Sequence, residues 1–216
     1  SLDEFKQLIA LADEHDFIIA SDECYSELYL DETAPPPGLL QACAELGRDD
    51  YRRCVVVHSL SKRSNLPGLR SGFVAGDATL LTPFKRYRTY HGCAMSLPLQ
   101  HASIAAWQDE QHVRANRDAY REKFSAVTKV LAPVMDFPAP QASFYLWPAV
   151  PDGDDIAFTQ RLFAEQHVSV LPGSLMGRTG ENGVNPGAGR LRLALVAELA
   201  PTLEAAQRIR HLVERG

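Results

Sequence analysis

The sequence is poor in the features that announce a metal centre. Its four cysteines, Cys24, Cys43, Cys54 and Cys93, form no CxxC pair and match no zinc-ribbon spacing, and its seven histidines include no HExxH. Cysteines so scattered are expected to be reduced, mostly buried thiols, which suits a cytoplasmic protein better than a disulfide framework. No apolar run approaches the length that crosses a bilayer. Lysine and arginine number 22 against 27 acidic residues, a net charge of -5, and no basic block of the kind that tracks a phosphate backbone is present. Nucleic-acid and membrane partners are therefore not expected. The one glycine-rich stretch, Gly173 to Gly189, lacks the GxxxxGK[ST] order of a phosphate loop and reads as a flexible loop. An initial methionine is also missing. The chain opens SLDEF, with Ser1 as an N-cap and Glu4 three residues on, so it begins at a helix cap and is expected to be a piece of something longer.

What is present has an α/β rhythm. A helix over Ser1 to His15 leads to an apolar strand, Phe17 to Ala20, that ends in Ser21-Asp22-Glu23. After a Pro-rich loop at 34–38 comes a helical stretch around Leu39 to Leu46. The strand Cys54 to His58 then runs into Ser59, and Ser71 to Asp77 reads as another strand. Short, fully apolar strands alternating with helices predict a parallel or mixed sheet covered on both faces, with chemistry at the carboxyl ends of the strands. Helices dominate from Leu97 to about Leu131. Strands are expected at Ser143 to Trp147, Val168 to Leu171 and Arg190 to Val196, and helices at Asp155 to Gln166 and Pro201 to Val213. The division expected is an α/β domain over 1–117 and a smaller α+β domain over 118–216.

The stretch SLSKRSNLPGLRSGF, Ser59 to Phe73, sets Lys62 among small hydroxyls directly after a strand, with Arg70 eight positions on. Most lysines are solvated surface charges. A nucleophilic amine, however, needs partial desolvation or nearby positive charge, and a phosphate-bearing partner needs hydroxyls and an arginine. A reactive amine beside a phosphate clamp points to pyridoxal phosphate, held by the amine as a Schiff base and by the hydroxyls and arginine at its phosphate. That cofactor also needs an acid at its pyridine nitrogen. Asp22 stands at the end of the preceding strand, and Tyr25 can offer a phenol to the ring oxygen. Taken alone, an aspartate there is most often a turn or helix cap.

SDECYSELY followed by SLSKRSNLPGLRSGF resembles the fold-type I aminotransferases, the aspartate aminotransferase superfamily. The D-x-x-Y, S-x-S-K and R order is specific when taken together, and the resemblance covers the whole chain. It implies a part of the large pyridoxal-phosphate-binding domain, with a mostly parallel sheet, over 1–117 and the small C-terminal domain over 118–216. It implies Asp22 at the pyridine nitrogen, Tyr25 at the ring hydroxyl and Lys62 as the Schiff-base lysine. Ser59 and Arg70 fall on the phosphate, with Ser61 a weaker candidate. Arg192, in Arg192-Leu-Ala-Leu195, falls on the substrate α-carboxylate. Arg190 shares its face by strand periodicity, so spacing alone does not separate the two. A homodimer is implied as well. Family members are about twice as long, and the front half would carry further cofactor contacts and a tyrosine given across the dimer.

Within the superfamily, ASFYLWP, AEQHVSVLPGS and NPGAGRLRLALVAE are similar to the succinyldiaminopimelate aminotransferases of bacterial lysine biosynthesis. The resemblance implies transamination between an amino acid, N-succinyl-diaminopimelate in particular, and 2-oxoglutarate. Arg190, Arg178, Lys85, Arg86 and Arg88 are the cations available for carboxylates at the far end of such a substrate. The alternatives are a C–S lyase on the same fold, which would use the same Asp22 and Lys62, a non-catalytic aminotransferase-like sensing domain, and an inactive fragment retained for dimerisation.

Overall fold

The computed structural model describes all residues, Ser1–Gly216. The chain divides into two compact units, Ser1–Arg117 and Asp118–Gly216.

In the first unit, helix α1 (Leu2–His15) starts on a capping box. The Ser1 hydroxyl accepts from the Glu4 backbone N–H at 3.3 Å, and the Glu4 carboxylate answers at Ser1. The helix stops at Asp16, which takes the left-handed conformation with φ 57. The Phe17 N–H donates back to the Ala12 carbonyl at 3.2 Å. That closure is why strand β1 is Ile19–Asp22 and not the expected Phe17 to Ala20. Phe17 belongs to the helix stop, and pairing begins where the Ile19 N–H meets the Arg53 carbonyl at 2.9 Å. Asp22 thereby becomes the last residue of the strand.

Strand β2 (Cys54–Ser59) pairs parallel with β1, Ile19 opposite Cys54 and Asp22 opposite Val57. Strand β3 (Gly72–Gly76) pairs antiparallel with β2, so the three strands form a mixed sheet. Only a one-turn helix, α3 (Leu60–Arg63), and a 3-10 turn over Pro67–Leu69 join β2 to β3, with no crossover helix to return the chain for parallel pairing. Gly72 sits where a Cβ would lie 2.4 Å from the His58 carbonyl oxygen, so the tight approach of β3 to β2 requires glycine. Helix α2 (Leu39–Glu45) and α1 cover one face. Ile9 and Ala12 of α1, Leu39, Ala42 and Cys43 of α2, and Ile19, Cys54 and Val56 of the strands form the core there.

Helix α4 (Ala78–Tyr90) was not expected from the sequence. Pro83 inside it reads as a helix breaker, and none of its residues is buried. Its start is set by Asp77, whose carboxylate accepts from the Thr79 N–H at 2.7 Å and the Arg53 N–H at 2.8 Å. Helices α5 (Leu97–Gln108) and α6 (Gln111–Leu131) follow, and α6 runs on into the second unit.

The second unit holds a small antiparallel sheet in the order β4 (Tyr145–Leu146), β6 (Leu191–Ala194), β5 (Leu171–Pro172). Helices α7 (Asp155–Gln166) and α8 (Leu199–Arg215) complete it, with Phe144, Leu146, Leu162, Leu191, Ile209 and Leu212 in its core. The expected strand at Val168 shrinks because α7 ends on His167 with φ 57 and the Val168 N–H turns back toward the Leu162 carbonyl, 3.5 Å away. The glycine-rich loop is anchored at both ends by one buried carboxylate. Asp155 accepts from the Ser174 N–H at 2.8 Å and the Gly189 N–H at 3.1 Å.

Candidate functional site

The parallel register of β1 and β2 sets the site in the first unit. Both strands end at the same edge, so Asp22 and the turn that follows it lie beside Ser59 and α3. Cys24 in that turn donates its N–H to Asp22 Oδ1 at 3.1 Å. The Cys24 side chain and then its backbone N–H hold the Asp22 carboxyl below the usual aspartate range, against a smaller opposing effect of burial. The same contact, after burial, pushes the Cys24 thiol up to about 11. Asp22 is thus a charged carboxylate at neutral pH.

Lys62 lies within α3, one turn beyond the end of β2. Its Nζ stands 5.9 Å from the centre of the Tyr25 ring. The turn begins on Ser59, whose hydroxyl accepts from the Ser61 N–H at 3.1 Å. Ser61 Oγ at 2.8 Å and the Ser71 carbonyl at 3.2 Å are both within reach of the Ser59 proton, which satisfies one of them at a time. Arg70 is held in the left-handed conformation with φ 52, and its guanidinium donates to the Pro67 carbonyl at 2.9 Å. Ser59 and Arg70 share the wall of a cavity of about 670 Å³ with His58, Phe73, Lys85 and Arg88.

The structure therefore brings Asp22, Tyr25, Ser59, Ser61 and Lys62 together at one strand edge and sets Ser59 and Arg70 on one cavity. Lys85 and Arg88 face the same cavity from α4, three residues apart on the helix, and Arg86 does not line it. Arg192 and Arg190 belong to the second unit. The Arg192 guanidinium stacks 4.9 Å from the Tyr145 ring centre, whereas Arg190 donates to the Trp147 carbonyl at 3.0 Å. One nitrogen of the Arg190 guanidinium is thus used by the backbone, whereas Arg192 lies over a ring, so the two residues that spacing left equivalent meet different partners. Arg178 lies in the loop anchored by Asp155.

Sequence reasoning missed a group around the site. His58 Nε2 lies 3.1 Å from Glu23 Oε2, Glu23 Oε1 accepts from the Leu39 N–H at 2.9 Å, and the His58 ring stacks on Phe73 at 5.0 Å. Arg63, buried, donates to the Ala106 carbonyl at 2.9 Å, pairs with Glu110 and lies 5.0 Å from the Trp107 ring centre. His58 and Glu23 directly adjoin Ser59 and Asp22, and that adjacency was the available signal. The partners of Arg63 are distant in sequence and leave none.

The residues from 1 to 209 match the family described as aminotransferase class I and II, and the chain belongs to it. It is 34% identical over 98% of its length to an LL-diaminopimelate aminotransferase of Aquifex aeolicus, of which it covers 52%. Among solved structures it is similar to an aminotransferase of Neisseria meningitidis, 55% identical with a TM-score of 0.92, covering 99% of this chain and 53% of that one. A probable N-succinyldiaminopimelate aminotransferase of Thermus thermophilus is 30% identical with a TM-score of 0.82, covering 98% and 54% respectively. The fold is fold type I, and the chain spans about half the length of the curated relatives it matches.

Pyridoxal phosphate is the cofactor of this family. The donor set fits it: a primary amine, a carboxylate held in its charged form, a phenol and paired serine hydroxyls at one strand edge, with Ser59 and Arg70 on the wall of the neighbouring cavity, which Asp22, Tyr25 and Lys62 do not line.

Proposed function

We propose that this chain supplies the cofactor-attaching lysine and the substrate-carboxylate arginine of a cytoplasmic, homodimeric aminotransferase. The reaction runs between N-succinyl-diaminopimelate and 2-oxoglutarate. The observation that carries the reading is the convergence of Lys62, Tyr25 and the charged Asp22 at one strand edge. Bound pyridoxal phosphate supplies an aldehyde for the amino group and an electron-poor ring that takes up negative charge from the substrate Cα.

Lys62 would hold the cofactor through Nζ, and its amine, when free, would move the proton to and from the substrate Cα as general base and acid. Asp22 keeps a proton on the pyridine nitrogen, because a fixed carboxylate favours the charged ring. Tyr25 directs its phenol to the ring oxygen. Ser59, Ser61 and Arg70 take the phosphate, the serine hydroxyl turning from the Ser71 carbonyl to an anionic oxygen. Arg192 grips the α-carboxylate with two parallel hydrogen bonds.

The substrate assignment is supported by the names of two similar proteins, one acting on LL-diaminopimelate and one described for the N-succinyl form. Free LL-diaminopimelate is accordingly the second reading. Steady-state kinetics of the complete protein with 2-oxoglutarate tests both. A higher kcat/KM for N-succinyl-diaminopimelate than for LL-diaminopimelate and aromatic amino acids is expected. The reverse order selects the second reading, and elimination at Cβ of cystathionine without transamination overturns both.

A further inference from the structure

Two consecutive residues of α6, remote in sequence from every site residue, hold the two sides of the Lys62–Tyr25 contact. Val113, Asn116 and Arg117 lie on one face of α6 by helical spacing, and Val113 and Arg117 are buried. Asn116 Nδ2 donates to the carbonyl oxygen of Lys62 itself at 3.3 Å. Arg117 makes a two-pronged bond to Glu32, Nε to Oε1 at 2.7 Å and Nη2 to Oε2 at 3.0 Å. Its third prong, Nη1, reaches Glu27 at 3.2 Å, and the guanidinium carbon lies 4.4 Å from the Tyr29 ring centre. Glu27, Tyr29 and Glu32 belong to the segment that leaves β1 carrying Tyr25. Inside that segment the Leu28 N–H donates to the Tyr25 carbonyl at 2.9 Å, and the Leu28 side chain is buried.

We propose that Asn116 and Arg117 are positioning residues for the reaction: Asn116 holds the backbone of the lysine turn, Arg117 holds the loop of the tyrosine, and together they set the distance between Lys62 Nζ and the Tyr25 phenol. A surface ion pair would be worth little here. A buried planar fork engaging three side chains is different, because it fixes orientation as well as charge, and a lysine cannot replace it. Proton transfer at a substrate carbon depends on placement to within about 1 Å, so loosening this pair is expected to act on rate more than on binding. The inference rests on the proposed roles of Lys62 and Tyr25.

The test uses the complete protein loaded with pyridoxal phosphate and the variants Arg117→Lys, Asn116→Asp, Tyr25→Phe and Lys62→Ala. The readouts are kcat, KM, melting temperature, and the pH midpoint of the absorbance of lysine-bound cofactor. Arg117→Lys is expected to lower kcat about 10- to 100-fold with KM changed less than about 3-fold, and to move the absorbance midpoint. In the Tyr25→Phe background it is expected to cost no further rate, because no phenol remains to be placed, while its loss of melting temperature persists. Asn116→Asp, which acts through Lys62, is expected to move the midpoint in both backgrounds. Glu32→Gln, at a half-exposed partner, is expected to follow Arg117→Lys in a milder form without threatening folding. The same fall in kcat in both backgrounds, with an unmoved midpoint, makes Arg117 merely structural and overturns the proposal. Native attachment and turnover in Lys62→Ala and Tyr25→Phe overturn the functional reading itself.

Discussion

Lys62 Nζ and the centre of the Tyr25 ring stand 5.9 Å apart, although one residue follows β2 and the other follows β1. Parallel pairing of the two strands makes this distance, since it delivers both carboxyl ends to one edge.

Lys62→Ala in the complete protein is expected to abolish the absorbance band of lysine-bound pyridoxal phosphate and the fixation of cofactor by borohydride. A band that survives the change, with cofactor fixed elsewhere, assigns the amine to another residue.

Asp22→Asn removes the charge that Cys24 holds in place. Cofactor is expected still to bind, and turnover to fall by about 10²- to 10³-fold, because the lost effect is stabilisation of developing charge. The check is a comparison of cofactor content with kcat. Near-native turnover would falsify the role at the pyridine nitrogen.

Arg192→Lys keeps the charge and loses the planar fork. It is expected to raise KM by about 10-fold or more for every amino acid and oxo acid alike. Arg190→Lys disturbs the bond to the Trp147 carbonyl, and is expected to lower the melting temperature more than it alters KM. Steady-state kinetics and thermal melts of both variants separate the two arginines; a larger KM effect at Arg190 reverses the assignment.

Asp155 carries a pH signature. Burial raises its carboxyl, but hydrogen bonds from Ser174 and Gly189 outweigh burial and leave it below the ordinary aspartate range. A lowered folded value means stability that is present above the unfolded value and lost as pH falls through the folded one. Asp155→Asn is therefore expected to cost about 1–3 kcal/mol at neutral pH. Relative to the native chain, that gap should close in acid, below the ordinary aspartate range. Thermal melts across pH read it directly, and a gap that stays constant into acid removes the carboxylate from the account.

The thiols should differ sharply in reactivity. Cys93 is exposed, Cys24 is half-buried with its thiol pushed up to about 11, and burial first, then the neighbouring Cys43, pushes Cys54 up to about 12. Labelling by a thiol reagent at neutral pH, followed by peptide mapping, is expected to mark Cys93 first and to leave Cys43 and Cys54 unmodified until the protein unfolds.

The grouping of candidate residues that are neighbours in the chain was legible in the sequence. Ser59, Ser61 and Lys62 share one turn, Asp22 and Tyr25 another, and each motif carries its own residue types and spacing. The Ser1–Glu4 capping box and helix α7 were legible for the same reason, because backbone hydrogen bonds within a helix join residues three and four apart. What the tertiary structure alone decided involves partners far apart in the chain. The start of β1 moved by two residues because the stop of α1 used the Phe17 N–H. The sheet became mixed because β3 returned antiparallel on β2. Helix α4 was hidden because Pro83, inside it, reads as a helix breaker. Arg190 and Arg192, equivalent by strand period, meet different partners, a carbonyl contributed by β4's neighbour Trp147 and a ring from Tyr145. The hold of Asn116 on Lys62 and of Arg117 on Glu27 and Glu32 joins residues 54 to 90 positions apart. No local pattern encodes such contacts, because they exist only once packing has brought α6 against the turns that carry the site.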